Sequence, residues 1–225
     1  MAESISTIQA DFDRIARLSN EGWNQNSHYH RLLLRYLPAH CQRALEIGCG
    51  TGAFSRLLAE RSDSVLALDL SPEMIRIAKE RAGHFKNIDF QVADVMPSEL
   101  PAEQFDCIAT IATLHHLPMA EILSKMKGAL APGGVLLVLD LFQAEGLSDL
   151  IASAFALPVS CGLRFLHHGR LRTPRAVREV WAEHERHDSF LTFAQVCQLC
   201  ASILPGAKVW KHLLWRYSII WGKPA

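Results

Sequence analysis

The sequence predicts an α/β fold with a doubly wound sheet of seven strands, mostly parallel, and helices on both faces. Three observations lead to this prediction. Apolar strands alternate with helix-like segments from residue 43 to residue 142. Within this region ALEIGCGTGAFSRLL (44–58) reads as a strand, a glycine turn and the start of a helix. Near the C-terminus, AKVWKHLLWRYSIIWGKP (207–224) reads as two strands joined by a short turn, which predicts an antiparallel hairpin strand closing the sheet.

The individual elements follow from apolar periodicity and from start and stop signals. Strands before the hairpin are predicted at 43–49, 64–70, 88–94, 105–113 and 135–142, with a turn at 131–134. Helices are predicted at 5–20, 29–37, 51–60, 72–81, 119–130, 145–157, 174–185 and, after the N-cap Thr192, up to residue 204. Ser71 caps the helix that begins at Pro72, and residues 158–172 look irregular. A glycine turn after the first of these strands makes the pattern Rossmann-like.

The chain length suits a single domain over residues 1–225. Residues 1–40 precede the regular part of the sheet and are expected to form an N-terminal helical lid. Residues 143–190 interrupt the strand–helix rhythm, and we expect them to form an insertion on the substrate side of the same domain.

Composition limits the partners and the compartment. Lysine plus arginine and aspartate plus glutamate number 23 each, so the chain lacks the basic excess expected of a protein that binds nucleic acid. No secretory signal is evident, and no continuous apolar run reaches the roughly 18–20 residues needed to span a bilayer. Several of the six cysteines lie in apolar segments, which suits reduced thiols. We therefore expect a cytoplasmic protein with a small-molecule partner, no nucleic acid and no membrane.

The glycine turn predicts a nucleotide or nucleoside pocket. Alternate glycines at Gly48, Gly50 and Gly52 permit unusual φ values and a close approach of a ligand to the backbone, and the following helix offers unpaired N–H groups. Read as G-x-G-x-x-G/A with Ala53, the turn matches the dinucleotide fingerprint. Read as E-x-G-x-G-x-G with Glu46, the turn matches a binding motif for a second class of nucleoside cofactor. The turn alone leaves both classes open.

Two acids at strand ends favour an adenosine-containing cofactor. Asp69 ends the second strand about twenty residues after the glycine turn, where a carboxylate accepts hydrogen bonds from ribose hydroxyls. Asp94 ends the third strand, where its carboxylate is suited to the adenine amine and the N–H of Val95 to a ring nitrogen. Leu70 and Met74 are candidates for apolar contacts with the adenine, although Met74 suits the core equally well.

These motifs together resemble the class I S-adenosylmethionine-dependent methyltransferases. The chain carries EIGCGTG as the first motif, VADV as the adenine motif, FDCIATIATLHHL at the fourth strand and LAPGGVLLVLDLF at the fifth. The likeness is strong over residues 40–142 and extends in architecture to 190–223. It is closest to the small-molecule methyltransferases that carry L-H-H-L after the fourth strand. The resemblance implies S-adenosylmethionine as the cofactor and a small metabolite as the acceptor of the methyl group, on an O, N, S or C atom.

The resemblance also assigns residues to the cofactor. The glycine turn would surround the methionine and ribose portion through Glu46, Gly48, Cys49, Gly50 and Gly52, of which Cys49 departs from the usual pattern but offers mainly backbone. The backbone of Ile111 and Ala112 would meet the methionine amino group. Trp23, His28 and Tyr29 precede the first sheet strand and are candidates to cover the cofactor, Tyr29 by direct contact.

The absence of several known motifs reduces the number of possible acceptor classes. None of the three tyrosines is followed by lysine four positions later, as a short-chain dehydrogenase requires. IATLHHLP stands where amino-purine or glutamine-amide methyltransferases carry Asp/Asn-Pro-Pro-Tyr/Phe, and no Pro-Cys nucleophile for cytosine C5 occurs. A small-molecule acceptor remains the leading hypothesis. An RNA-modifying methyltransferase, a non-catalytic S-adenosylmethionine-binding protein and a nicotinamide oxidoreductase are the alternatives.

His115 and His116 are the candidate catalytic residues. They follow the fourth strand at the carboxyl edge, where open α/β sheets bind ligands, and a histidine there is suited to deprotonating an acceptor. The alternative is that one histidine caps the loop and the other packs. Positive side chains in the insertion suit either a solvated face or an anionic substrate: Arg164, His167, His168, Arg170 and Arg172. His184, His187 and Asp188 have a metal-like spacing, but on a polar helix end they are not expected to bind a metal.

Overall fold

The computed structural model describes residues 5–18, 22–184 and 188–225. These residues contain one sheet whose strands are β1 (Cys41–Ile47), β2 (Ser62–Asp69), β3 (Ile88–Val92), β4 (Phe105–Ile111), β5 (Leu130–Leu141), β6 (Lys208–His212) and β7 (Arg216–Gly222). The helices are α1 (Ile5–Leu18), α2 (His30–Leu33), α3 (Ala53–Ala59), α4 (Pro72–Arg81), α5 (Met119–Ala129), α6 (Gly146–His168), α7 (Arg175–His184) and α8 (Phe193–Ile203). Short 3-10 turns lie at Ser27–Tyr29 and Leu114–His116.

The strand order confirms the predicted fold class. The sheet runs β3-β2-β1-β4-β5-β7-β6. Strands β1 to β5 pair in parallel, whereas β7 pairs antiparallel with both β5 and β6. The order reverses between β1 and β4, so the loops after these two strands diverge and leave a crevice at the carboxyl edge. The glycine turn follows β1 and the two histidines follow β4, which places both motifs at this crevice.

The sheet is buried on both faces, as a doubly wound fold requires. Along β5, Leu136 and Val138 join a core cluster with residues of α5 and α8, whereas Leu137 and Leu139 join a cluster with residues of α2 and α3. The strand sequences are apolar without interruption because both faces of the sheet are buried. The predicted caps of α4 and α8 are also present, because the Ser71 hydroxyl accepts the Met74 N–H and Thr192 forms a capping box.

Several predicted boundaries are wrong. Residues 158–168 continue α6 through Pro158 instead of being irregular. A proline removes one helix hydrogen bond, but the apolar residues on both sides of Pro158 favour continuing the helix. The predicted turn at 131–134 lies within β5, where the pairing with β4 shifts register between Phe105 and Cys107. The predicted helix at 29–37 is a 3-10 turn followed by the single turn α2.

Helix α6 also corrects the expectation about membrane-spanning segments. By length and composition, its 23 residues are long and apolar enough to cross a bilayer. Serine, glycine and proline interrupt the run, so it does not read as continuously apolar in the sequence. Along the chain, α6 follows β5 and precedes α7. Most of the surface of α6 is exposed.

Candidate active site

The glycine turn joins β1 to α3 with three left-handed residues. Gly48, Gly50 and Gly52 have φ values of +72°, +52° and +74°. The N–H groups of Gly48 and Cys49 both donate to the Leu68 carbonyl, at 2.8 and 2.9 Å. These hydrogen bonds anchor the turn to the end of β2 and require backbone conformations that glycine adopts readily.

The three glycines meet different surroundings. A Cβ atom on Gly48 would lie 2.0 Å from Thr113 Oγ1, and one on Gly52 would lie 2.9 Å from Phe90 Cζ. A Cβ atom on Gly50 would meet nothing within 4 Å. Two of the glycines therefore permit close packing within the protein, while Gly50 leaves space beside the backbone. This is the cradle that a nucleoside cofactor needs.

Asp69 lies next to this cradle at the end of β2. Its carboxylate accepts the Gly50 N–H at 2.7 Å and the Ser71 N–H at 2.9 Å. Burial raises the pKa of Asp69 to about 6, although these two hydrogen bonds lower it. The group is therefore ionised at neutral pH, and its remaining lone pairs are suited to the ribose hydroxyls.

The predicted adenine residues lie on a loop that the protein fixes from within. Asp94 Oδ1 accepts the Met96 N–H at 2.9 Å, and the Ser98 hydroxyl donates to the Asp94 carbonyl at 2.6 Å. Val95 is buried, and its carbonyl accepts a hydrogen bond from Lys125 Nζ at 3.0 Å. The assignment of Asp94 and Val95 to the adenine stays a prediction, with the loop geometry in support.

Two other residues predicted to contact the cofactor are engaged by neighbouring elements. The Met74 side chain packs with Ile15 of α1 in a small buried cluster. The Tyr29 hydroxyl donates to the Leu213 carbonyl at 2.5 Å, and its ring stacks on His212 with the centroids 5.0 Å apart. Contacts of these two residues with the cofactor stay predictions, as does that of the half-buried Leu70.

Glu46 is buried beneath the turn. Its carboxyl accepts a hydrogen bond from the Ser55 hydroxyl of α3. Burial raises the pKa of Glu46 to about 8, and the Ser55 hydrogen bond lowers it only in part. Glu46 therefore ties the end of β1 to the helix after the glycine turn, so that the turn is fixed before any ligand binds. A direct contact of Glu46 with the cofactor stays a prediction.

We expect Glu46 to make folding stability depend on pH. Between its ordinary pKa of 4.5 and about 8, the folded state keeps a proton that the unfolded state has released. The free energy of unfolding therefore falls as pH rises in this range, by up to about 1.4 kcal/mol per pH unit. Glu46→Gln keeps an acceptor for Ser55 but does not titrate, so we expect a shallower slope and greater stability than the parent near pH 8.

Urea unfolding of both proteins from pH 6.5 to pH 8 measures this difference. The range lies above the pKa of about 6 of Asp69, so this second buried acid contributes little there. Ser55→Ala is the matched control, because it removes the hydrogen bond and leaves the titrating group in place. Equal slopes for the parent and Glu46→Gln would contradict the assignment.

The chain after β4 is held close to the glycine turn by a strained residue. Ala112 has a φ of +51°, and its N–H donates to the Leu139 carbonyl at 2.8 Å. A non-glycine residue in this region costs on the order of 1 kcal/mol, and such residues cluster at functional sites. The conformation directs Thr113 against Gly48 and leaves Ile111 and Ala112 half-buried at the edge. Their predicted contact with the methionine amino group remains to be tested.

His115 is held by a buried carboxylate. Its Nδ1 lies 2.6 Å from Asp140 Oδ1 at the end of β5, and its backbone N–H donates to Asp140 Oδ2 at 2.9 Å. Because the Asp140 carboxylate is an acceptor, the neutral form of His115 would carry its proton on Nδ1 and present a lone pair at Nε2. Asp140 is 0% exposed. The pair therefore has the arrangement of a general base with its orienting acid.

His116 faces a second acid, Asp188. Its Nδ1 lies 3.2 Å from Asp188 Oδ1, and His115 Nε2 lies 4.0 Å from Asp188 Oδ2. Burial lowers the pKa of His116, although Asp188 opposes this. Burial alone would raise the pKa of Asp188, but the neighbouring histidines, chiefly His116, lower it. Asp188 is therefore an anion placed to interact with positive charge that forms on either histidine.

His184 completes this cluster at the end of α7. Its Nε2 lies 3.8 Å from Asp188 Oδ1 and its Nδ1 lies 3.5 Å from Asp11 Oδ2. Within the described part of the chain, neither ring nitrogen has a hydrogen-bond partner. The ligand atoms of His115, His116 and Asp188 all lie within 4.8 Å of one another, so these three residues could hold a cation. His187, the third residue of the metal-like spacing, lies outside the described residues.

A small cavity adjoins His115. Its volume is about 120 Å³, somewhat below the roughly 150 Å³ of a cavity that holds benzene. Four of its eight lining residues are leucines, and the polar lining comes from His115, Ser189 and Tyr217. The cavity offers space for a small, mostly apolar group beside the candidate base.

Helix α1 lies over both halves of the site. The Ser71 hydroxyl, next to Asp69, donates to Asp13 of α1. The Phe12 ring meets the rings of His116 and His184 edge-on, with centroids 5.4 and 4.8 Å apart. One helix thus bridges the cofactor side and the histidine cluster. This is the position that the predicted N-terminal lid requires, and closure over a ligand stays a prediction.

Of the other predicted lid residues, Trp23 contacts the insertion. Trp23 stacks on His167 with the centroids 5.7 Å apart, and its carbonyl lies 2.8 Å from His168 Nε2. His28 meets Trp23 and Tyr29 edge-on. Arg164 donates to the Thr173 hydroxyl. Arg170 and Arg172 are exposed.

Four residues of the site were missed in the sequence: Ser55, Thr113, Asp140 and Asp188 in its pairing with His116. A carboxylate inside the apolar run VLLVLDLF was the available signal for Asp140, because an acid in a buried strand needs a partner. Asp188 was noted only for its spacing to His184 and His187. Asp188 lies about seventy residues along the chain from the histidines after β4, so no local sequence pattern indicates that they are close in space.

Comparisons with known proteins agree with this geometry. The family model described as a methyltransferase domain matches residues 44–134. An uncharacterised methyltransferase from Mycobacterium tuberculosis is 29% identical over 206 residues, covering 91% of this chain and 99% of that protein. A ubiquinone biosynthesis O-methyltransferase from Xanthomonas axonopodis pv. citri is 30% identical over 173 residues, covering 70% of this chain and 69% of that protein.

A solved structure shows the same fold. The N-methyltransferase NodS from Bradyrhizobium japonicum, in complex with S-adenosyl-L-homocysteine, aligns with a TM-score of 0.59 at 19% identity, over 97% of this chain and 99% of that one. The family match, the relatives and the cradle beside Asp69 agree on S-adenosylmethionine as the cofactor and exclude the nicotinamide alternative. The chain belongs to the class I S-adenosylmethionine-dependent methyltransferases.

Proposed function

We propose that this enzyme transfers the methyl group to a hydroxyl oxygen of a small metabolite. The observation that carries the proposal is the buried Asp140–His115 pair at the carboxyl edge, whose imidazole lines a cavity of about 120 Å³ and whose Nε2 is not used in the contact with Asp140. A hydroxyl is a weak nucleophile until it loses its proton, so O-methylation benefits most from a positioned base. The name of the Xanthomonas relative, an O-methyltransferase, supports the same acceptor atom.

The roles of the residues follow from the charges. S-adenosylmethionine, when bound, supplies a methyl group on a positively charged sulfur. The glycine turn and Asp69 would hold the cofactor with this methyl group available to the acceptor oxygen, and His115 Nε2 would take the proton that the oxygen loses. Asp140 and Asp188 then flank the resulting imidazolium with negative charge. Much of the remaining acceleration comes from alignment and exclusion of water, to which α1 contributes by lying over the site.

Two alternatives lead to different expectations. A non-catalytic cofactor-binding protein has no use for a base held by a buried acid, whereas an enzyme does. An RNA-modifying methyltransferase needs phosphate contacts, and the equal numbers of acidic and basic residues do not favour it. We retain the cytoplasm as the proposed compartment, on the composition alone.

The acceptor atom can be identified with labelled cofactor. We expect methyl-labelled S-adenosylmethionine to label small aromatic and aliphatic alcohols in a panel that also contains matched thiols and amines. Label confined to amines or thiols would contradict the hydroxyl proposal, and label confined to added RNA would favour the RNA-modifying alternative.

The same assay distinguishes a base from a cation site. If His115 acts as a metal-free base, enzyme dialysed against EDTA keeps its rate. A rate that is lost on chelation and restored by one divalent cation would instead assign His115, His116 and Asp188 to a bound ion, since their ligand atoms are close enough to hold one.

A further inference from the structure

Helix α6 has the reverse of the usual exposure pattern. Apart from the half-buried Leu163, the residues that it turns toward the protein are small or polar and recur three and four positions apart: Asp149, Ser153, Ala156 and Ser160. The large apolar residues lie on the outer side. Leu147, Leu150, Phe155 and Leu166 are 72%, 67%, 65% and 79% exposed. A surface helix of a protein surrounded by water shows the opposite arrangement.

Polar contacts fix this orientation. Asp149 forms an ion pair with Lys211 of β6. The Ser153 hydroxyl accepts the Trp215 Nε1–H at 2.9 Å, and the Ser160 hydroxyl lies 3.3 Å from Gln25 Nε2. Rotating α6 to bury its leucines would break each of these interactions and place Asp149 outside. The exposure of the apolar side therefore follows from how the helix is attached.

The exposed side forms one surface, which we call the α6 face. It consists of Leu147, Leu150, Ile151, Phe155, Leu157, Val159, Phe165 and Leu166, continued by Leu171 beyond the helix. Each of these residues is at least 40% exposed. Proteins that act as free monomers in water rarely expose a contiguous apolar surface of this kind, so it marks an interaction site.

The charge next to the α6 face indicates what covers it. From residue 150 to residue 178 the chain contains no aspartate or glutamate, and it contains the arginines at 164, 170, 172, 175 and 178. The whole chain carries equal numbers of acidic and basic residues, so this segment is a local positive region. Arg175 pairs with Glu179, which reduces the local charge in part. An apolar surface bordered by arginines is complementary to a bilayer that contains anionic lipids.

We propose that the α6 face docks this methyltransferase onto an anionic lipid bilayer, with α6 lying in the plane of the headgroups. The leucines and phenylalanines enter the apolar boundary, and the arginines after the helix contact the phosphates. The helix does not cross the bilayer, because its inner side holds Asp149 and remains attached to β6 and to the loop before β7. A second copy of the chain fits less well, since it would bring another set of arginines to the same surface.

This inference goes beyond the predicted partners, which included no membrane. It does not depend on the acceptor atom, because it rests on the outer side of α6 and not on the histidine cluster. The inner side of α6 contacts Trp215, and Tyr217 two residues further on lines the cavity beside His115. Ala156 of α6 and Tyr217 belong to core clusters on opposite faces of the sheet, so the α6 face and the cavity lie on opposite faces of the sheet.

Vesicle sedimentation tests the proposal. We expect the full chain to sediment with vesicles of phosphatidylcholine and phosphatidylglycerol, and to do so at least ten-fold less with phosphatidylcholine alone. High salt should reduce the binding, because screening weakens the arginine contribution. The triple variant Leu150→Ser, Phe155→Ser and Leu166→Ser should lose at least ten-fold in vesicle affinity, and Arg170→Gln with Arg172→Gln should lose the preference for phosphatidylglycerol.

The controls separate docking from misfolding and from self-association. Tyr36→Ser alters an exposed aromatic residue that does not belong to the α6 face and should bind vesicles like the parent. Circular dichroism and S-adenosylmethionine binding should be unchanged in the serine variant, because its three side chains lie outside the core. Failure of the parent to bind phosphatidylglycerol vesicles at low salt would overturn the proposal. So would a parent dimer that does not bind vesicles and that the triple serine variant converts to a monomer.

Discussion

Replacing His115 by alanine is expected to lower kcat by about 10²–10⁴-fold, the usual contribution of a positioned general base. The expectation rests on the free Nε2 that the Asp140 contact leaves available for the acceptor proton. S-adenosylmethionine affinity should change little, because the cradle at Gly50 and Asp69 belongs to other strand ends. Steady-state kinetics with the identified acceptor measures kcat, and calorimetry with the cofactor provides the binding control.

Asp140→Asn tests the same assignment without removing the imidazole. An amide in this position offers N–H donors as well as a carbonyl, and so no longer requires the proton of His115 to lie on Nδ1. A proton on Nε2 would leave no lone pair for the acceptor, and we expect kcat to fall by about 10²-fold or more. Because Asp140 is fully buried, thermal unfolding of the variant must accompany the kinetics.

His116→Gln is the matched comparison within the pair of histidines. Burial already lowers the pKa of His116, and its Nδ1 faces Asp188 at 3.2 Å. We expect this variant to lose much less activity than His115→Ala. The opposite ranking, or an acceptor methylated equally well by both variants, would remove His115 from the role of base.

The geometry of the candidate cofactor half has clearer signals in the sequence than the geometry of the acceptor half. Gly48, Gly50 and Asp69 carry local signals, because a left-handed turn needs glycine and a buried strand ends visibly at a charged residue. Asp140 and Asp188 depend on contacts with residues 25 and about seventy positions away. Such pairings are decided by the fold, and periodicity along the chain does not reveal them.

Helix α6 shows a second limit of sequence patterns. Its N-terminal half was predicted, but its continuation past Pro158 and its orientation were not. The sequence of an apolar helix does not indicate which side packs on the protein when the residues on that side are small and polar. The attachment through Asp149 and Ser153 involves the hairpin residues Lys211 and Trp215, about sixty positions later. Only the folded arrangement shows that the leucines are the residues left outside.

Two alanine substitutions in the glycine turn are expected to have large but different effects, one on folding stability and the other on cofactor binding. Gly48→Ala would place a methyl group 2.0 Å from Thr113 Oγ1 in a left-handed conformation. Strain in the backbone and overpacking together should lower the free energy of unfolding by about 3–4 kcal/mol. Urea unfolding measures the loss, and cofactor binding is expected to fall only because less protein is folded.

Gly50→Ala should instead fold and fail to bind. Its methyl group meets no protein atom within 4 Å, so the cost is about 1 kcal/mol for a φ of +52°. The same methyl group enters the space next to Asp69 that we assign to the cofactor, and we expect S-adenosylmethionine affinity to fall at least ten-fold by calorimetry. Unchanged affinity in a folded Gly50→Ala protein would mean that the cofactor does not approach this side of the turn.

Thr113→Gly shows whether the cost of Gly48→Ala comes from the contact across the crevice. All three of the closest atoms to a Cβ on Gly48 belong to the Thr113 side chain. In a double-mutant cycle, Thr113→Gly should therefore recover a large part of the stability lost through Gly48→Ala, whereas it should recover none of the cofactor affinity lost through Gly50→Ala. Additive losses at Gly48 and Thr113 would show that the backbone conformation alone requires the glycine. Coupled losses would show that the glycine also allows the loop after β4 to close against the loop after β1, which is how the crevice acquires one fixed wall.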